Sequence, residues 1–264
     1  MKIVRLLIVL FLVGTQNTNA QEIVKDTALI ILKDSAQEIK KETAPKIDKN
    51  LVKINLIGFS INGQYERILS KRVSIALSYR ILPSGKLLFR GLIPTSDPRT
   101  REELNNLIVS NSAITPEIRF YLGKKGYGQG FYLAPFFRSA KYGGRGLGID
   151  FTLDNGQTAT FNMEGNIKSN TFGLLLGAQW KLGKNFWLDW QILGPNYGSA
   201  SGTITGKSNI ALSASERTSL ENALKDIAIP FIRKNVTVSP NEAILSLQGP
   251  WAGLRTGISL GFGF

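Results

Sequence analysis

The chain has 264 residues, 43% of them hydrophobic, and its 32 Lys and Arg outnumber 19 Asp and Glu for a formal charge of +13. It contains no His and no Cys, which excludes Ser-His-Asp and Cys-His catalysis, histidine or thiolate metal centres, disulfides and a lipid-modified N-terminal cysteine. An enzyme acting on envelope lipid would have to work with Ser, Asp, Glu or Lys alone.

Lys2 and Arg5 precede the apolar run Leu6–Val13, and a small, polar stretch ends at Thr18-Asn19-Ala20. This layout predicts a signal peptide over 1–20, cleaved after Ala20. The run is shorter than the roughly 20 residues a spanning helix needs. No later stretch reaches that length, so membrane embedding would have to be as a closed β-barrel, which satisfies its backbone polar groups between strands. Residues 21–50, with six Lys balanced by six acids, read equally as a periplasmic amphipathic helix or a solvated linker.

From Leu51 the apolar pattern takes a period of two, the period of a strand with one apolar face. Strands are expected at about 51–58, 61–69, 72–82, 115–123, 130–141, 169–182, 185–197 and 252–264. In the last, Ala252, Leu254, Thr256, Ile258, Leu260, Phe262 and Phe264 form one face, and Gly253, Arg255, Gly257, Ser259, Gly261 and Gly263 the other. Phe186, Leu188, Trp190 and Ile192 likewise oppose Trp187, Asp189, Gln191 and Leu193. Six or seven consecutive alternate apolar positions exceed what a soluble sandwich needs. Aromatic residues near strand ends (Trp180, Phe186, Trp187, Tyr197, Trp251, Phe264) resemble interface girdles. Short links at 70–71, 123–129 and 183–184 alternate with long ones at 83–114, 142–168 and 198–251, as in bacterial outer-membrane barrels. The expectation is all-β: an eight-stranded antiparallel transmembrane barrel over 51–264 in the cell outer membrane. Pro135 inside strand five suggests a bulge or a facing irregularity.

The long loops carry their own order. Asp97-Pro98 can cap a helix through about Ile108. Asp154-Asn155-Gly156 reads as a hairpin turn. Ser213 with Glu216 forms a capping box before a helix carrying Leu220, Leu224 and Ile227, and a strand pair about Ser239-Pro240-Asn241 follows. Segment 21–50 and each long loop lie within about one charge of neutral, so no external basic patch points to nucleic acid. The excess sits in strands and short turns, where rim cations such as Lys71, Arg72, Lys124, Lys125 and Lys184 suit outer-membrane lipid headgroups.

The stretch Pro250-Trp251-Ala252-Gly253-Leu254-Arg255-Thr256-Gly257-Ile258 through Phe264 resembles an uncharacterised Bacteroidota family of small outer-membrane β-barrels. Leu51–Leu56 with Tyr65-Glu66-Arg67, and the segment Leu212–Ile229, resemble it too. The resemblance implies location and fold and supplies no catalytic residues or cofactor. Phe262 and the terminal Phe264 resemble the assembly signal read by barrel-assembly machinery.

The face assignments turn Lys53, Glu66, Arg80, Glu117, Arg119, Arg138, Asp189 and Arg255 into the lumen. An eight-stranded barrel is barely wide enough for its own side chains, so the acids are expected to pair with neighbouring Arg. Such a lumen reads as a structural salt-bridge core or as a gated ion path. The function expected is non-enzymatic: a scaffold presenting folded loops 83–114, 142–168 and 198–251 to a protein or surface partner. The alternative is a narrow conduit for ions or small molecules.

Overall fold

The computed structural model describes residues 48–56, 60–86 and 98–264. The expected signal peptide, most of the segment 21–50, the end of the first expected strand and the expected cap Asp97 lie outside the described residues.

Nine strands are present among the described residues: β1 (Asn50–Asn55), β2 (Ile61–Ile68), β3 (Val73–Lys86), β4 (Ile108–Tyr121), β5 (Gly130–Thr152), β6 (Thr158–Lys181), β7 (Phe186–Ser208), β8 (Arg233–Val238) and β9 (Glu242–Gly263). Helix α1 (Pro98–Asn106) precedes β4, and α2 (Ala214–Asp226) follows β7. Every pairing is antiparallel, in the order β1-β2-β3-β4-β5-β6-β7-β9, and β9 pairs back onto β1. Eight strands therefore close into a ring, and β8 adds to β9 beyond the point where β1 ends.

Side-chain burial follows the pleat. On β6, Phe172, Leu174 and Leu176 face outward and are exposed, while Thr171, Leu175 and Gln179 face inward and are buried. The same alternation runs through β1 to β4 and the lower half of β9. Short turns and the Asn50–Phe264 junction lie at one rim. There, backbone bonds join Asn50 N to Phe264 O at 3.2 Å and Phe264 N to Asn50 O at 2.9 Å.

The opposite end differs from the expectation. The residues read as loops 142–168 and 198–251 are largely strand, because β5, β6, β7 and β9 continue past the outward apolar positions without interruption. Their outward side chains turn polar there while their inward ones turn apolar. Ala159, Phe161, Ile167, Ile204, Ala243, Leu245 and Leu247 converge with Leu224 of α2 and Val236 of β8 into a second core. This head is the folded part of the long loops. The expected turn at 154–156 closes the β5–β6 hairpin, with Leu153 and Gln157 bonded across it. The capping box at α2 is present, with Ser213 as N-cap and Glu216 returning to the Ser213 backbone.

Three further expectations are corrected. Pro135 marks no bulge. The β4–β5 ladder keeps one register across it, with Ile114 opposite Ser139 and Phe120 opposite Leu133. Leu193 does not share the Asp189 face: a bulge between Gln191 and Gly194 shifts the phase of β7 and leaves Leu193 exposed. Trp187 and Trp251 are not on the outer surface. Trp187 is buried inside the short-turn rim, where its indole N–H donates to Asp48 at 3.2 Å. Trp251 stacks on Tyr142 beneath the head core, with centroids 5.2 Å apart.

Two outcomes follow. A Cβ on Gly177 would stand 2.3 Å from the Tyr132 ring, so Gly177→Ala should lower stability by about 1–3 kcal/mol through overpacking, read as a lower unfolding midpoint in denaturant. In the head, the backbone N–H groups of Ser213 and Asp154 both donate to the Glu216 carboxylate, at 2.8 and 2.9 Å. These bonds hold its pKa below 4.5. The folded value is the lower one, so this contribution is complete above pH 4.5 and is lost as pH falls through the folded value. Hydrogen exchange at 153–157 and 213–217 should therefore accelerate below that pH, and Glu216→Gln should abolish the step.

Candidate functional site

Each of the eight ring strands contributes a polar side chain to one layer inside the ring. β1 supplies Lys53, β2 Gln64 and Glu66, and β3 Ser74 and Ser78. β4 supplies Glu117, Arg119 and Tyr121, β5 Tyr132, β6 Gln179, β7 Asp189 and β9 Arg255. Period two places each of them inward, and the register brings them to one level.

Arg119 is the centre. Its Nη1 donates to Asp189 at 2.7 Å, Gln179 at 2.9 Å and Glu66 at 3.1 Å. Its Nη2 reaches Gln64 at 2.9 Å and its Nε reaches Glu117 at 2.6 Å. The guanidinium lies 4.4 Å over the Tyr132 ring. Lys53 Nζ bonds Glu66, Gln179 and Asp189, the last at 2.8 Å. Arg255 pairs with Glu117 and donates to Ser78 at 3.3 Å. Tyr121 donates to Glu66 and Tyr132 to Asp189, both at 2.7 Å, and Ser74 also donates to Glu66.

The layer holds three cations, Lys53, Arg119 and Arg255, against three carboxylates, Glu66, Glu117 and Asp189. It is therefore neutral as a unit, and every charged member is buried. Among the described residues, the buried side-chain atoms without a partner are Asp48 Oδ1, Asn62 Oδ1 and Thr171 Oγ1, none in this layer.

Six of the eight inward charges expected from the sequence thus meet. Arg80 and Arg138 stand apart. Arg80 donates to Asn111 at 2.9 Å, Arg138 lies beside Tyr142, and among the described residues neither pairs with a carboxylate. The tyrosines, glutamines and serines of the layer were not singled out. Tyr121 and Gln179 lay on the inward face by period, but an uncharged side chain gives no reason in sequence to expect a bond.

The interior is occupied on both sides of this layer. Toward the short turns, Leu51, Ile68 and Trp187 cluster, and Asp48 bonds Lys181 at 2.7 Å. A second cluster of Tyr121, Tyr132, Ala134, Phe136 and Leu175 walls the layer itself, and the head core stands at the far end. No group of three or more acidic residues placed to hold a metal ion is found among the described residues. The carboxylates are engaged by cations, tyrosines and serines, which suits a structural or gating role better than proton transfer to a substrate. A scan of protein-family models finds no match, nor does a search of curated proteins.

Breaking one buried ion pair leaves its partner uncompensated, at about 3–5 kcal/mol. Asp189→Leu should lower stability by about that amount in a denaturant titration. Adding Lys53→Met restores neutrality and should recover a large share of the loss, a coupling that a double-mutant cycle measures. Simple additivity would show that the layer is not an electrostatic unit.

Proposed function

We propose that the protein is an outer-membrane β-barrel, non-enzymatic and non-conducting, whose folded head is a scaffold for a partner outside the cell. The membrane reading is supported by the outer face of the ring. Among the described residues every exposed large apolar side chain except Phe231 lies on the ring strands or immediately beside them. Monomeric soluble proteins rarely expose a contiguous patch of that extent. On β6 this face runs from Phe172 to Trp180, nine residues, and a tilted spanning strand needs about 9–11. Above it the outward positions become Asn170, Lys168, Asn166, Glu164 and Asn162. No helix among the described residues is long and apolar enough to cross a membrane. The family resemblance at both ends of the ring agrees with this address, as does Phe264 as an assembly signal.

The observation that carries the functional reading is the neutral, buried ion layer across the whole interior. Opening a path would require breaking several charge-assisted bonds together, each stronger than a neutral one. The head, with its own core, is what remains to act. A narrow conduit is the second reading, favoured by Arg80 and Arg138, which have no carboxylate partner among the described residues of the same interior.

Heat-modifiable gel mobility tests the barrel, and an unchanged band after boiling would overturn it. In planar bilayers the wild-type protein should show no conductance steps, whereas Glu66→Ala and Arg119→Ala should produce them in heat-modifiable protein. Steady wild-type conductance would replace the scaffold with the conduit. Protein captured from outer membranes should depend on the head residues 209–232, and solitary purification with silent deletions there would count against the scaffold.

A further inference from the structure

The outer face of the ring carries a cross-strand row that neither the interior nor the head core uses. Ser112 stands opposite Lys141, Lys141 opposite Lys168, and Lys168 opposite Ser201. Ser201 stands opposite Gln248, and Gln248 opposite Arg233. All three cations are exposed and point outward. No carboxylate lies in the row, and none of the three cations forms a salt bridge among the described residues.

Lys141 and Lys168 are direct cross-strand neighbours, an arrangement that like charges disfavour. Every other lateral or diagonal neighbour of Lys168 on that face is neutral: Asn166, Asn170, Ser139, Gly143, Ser199 and Thr203 are among them. The fold therefore concentrates positive potential there, with no carboxylate among these neighbours to offset it. One bound anion between the two ammonium groups would reverse the sign of that interaction.

The height of the row selects the anion. The apolar band ends in the aligned aromatics Phe137, Phe172 and Tyr197. A neutral row of Ser139, Asn170 and Ser199 follows, and then the cations. Four residues along the strand are about 13 Å, or about 10 Å of height at a tilt near 40°. Lysine stems reach several ångströms along a surface toward a preferred polar level, which brings the ammonium groups down to the headgroup layer. Beside Lys168 and Arg233 runs an open groove of about 650 Å³ lined also by Asn166, Ser201, Thr203 and Gln248. Hydroxyl and amide groups of this kind bond sugar hydroxyls, and the cations beside them bond phosphate.

We propose that Lys141, Lys168 and Arg233 bind the phosphate groups of a phosphorylated glycolipid in the outer leaflet, with its sugar in the adjoining groove. This rests on the membrane reading above.

The test uses the full chain in lipid nanodiscs and native mass spectrometry of retained lipid. Discs contain zwitterionic phospholipid alone, or the same with a bisphosphorylated diglucosamine lipid, its dephosphorylated form, or phosphatidylglycerol. The wild-type protein should retain the bisphosphorylated glycolipid above the other two. Lys141→Gln with Lys168→Gln should cut that retention by about thirtyfold, the worth of two cations beside anionic lipid. Lys207→Gln, an exposed lysine outside the row, should leave it unchanged. Equal retention by the double variant, or equal retention of phosphatidylglycerol or the dephosphorylated glycolipid, overturns the proposal. Competition by free inorganic phosphate without any lipid preference also overturns it, as a site for a soluble anion. Heat-modifiable mobility is scored on every sample. A protein that inserts but shows no preference sinks only this inference, and one that never inserts sinks the membrane reading with it.

Discussion

Arg119 sits at the centre of a layer to which all eight ring strands contribute, and the rest of the molecule depends on the neutrality of that layer. Moving a charged group from water into a protein interior costs several kcal/mol even after relaxation. Six such groups are tolerated because three cations face three carboxylates and because tyrosines, glutamines and serines fill the remaining bonding capacity. The layer's net contribution to stability is modest by the same reasoning. Its larger effect is on specificity. A one-residue slip of β1, β2, β4, β7 or β9 would turn its charge to the outside and an outward side chain into the layer. Lys53 on β1, Asp189 on β7 and Arg255 on β9 are far apart in sequence, and only the closed ring in this register brings their charges together.

Beyond that layer the interior changes character along the strands. The inward positions of β5, β6, β7 and β9 change from hydroxyl and amide to Phe, Ile and Leu as the strands leave the ring, and the outward positions change the opposite way. One set of strands thus builds two bodies of opposite polarity. The ring is apolar outside and ionic within, and the head is polar outside and oily within. In the membrane reading, this inversion marks where the chain leaves lipid for water. Because the strands are continuous across it, displacement of the head is coupled mechanically to the ring.

The faces of the ring were legible because period two is a local property, and the inward placement of all eight charges follows from it directly, although only six of them meet in the layer. The extent of the strands was not. An apolar outward pattern that stops at Phe172 or Tyr197 looks like the end of a strand, although hydrogen bonding continues for some ten residues beyond. Phase errors came from bulges: one extra residue between Gln191 and Gly194 turned Leu193 outward. Trp187 and Trp251 were misplaced because aromatic residues near strand ends suggested a girdle, whereas their inward phase was the better guide. The pairing of Arg80 with Asn111 rather than an acid depends on cross-strand height, which no local pattern encodes.

The ring is sealed by one short seam, where β1 meets β9 over the five pairs from Leu51–Gly263 to Asn55–Ser259. Those strands stand at opposite ends of the described chain, so closure is the contact of longest sequence separation. Loop-closure entropy makes such a contact late and slow. Until it forms, β1 and β9 both present bare edges, and Arg255 cannot reach Glu117 in its final setting. The half-assembled molecule is therefore an open sheet with an unbalanced interior and two sticky margins. It has every reason to seek a guardian strand, and the last zip of five residues ends that need.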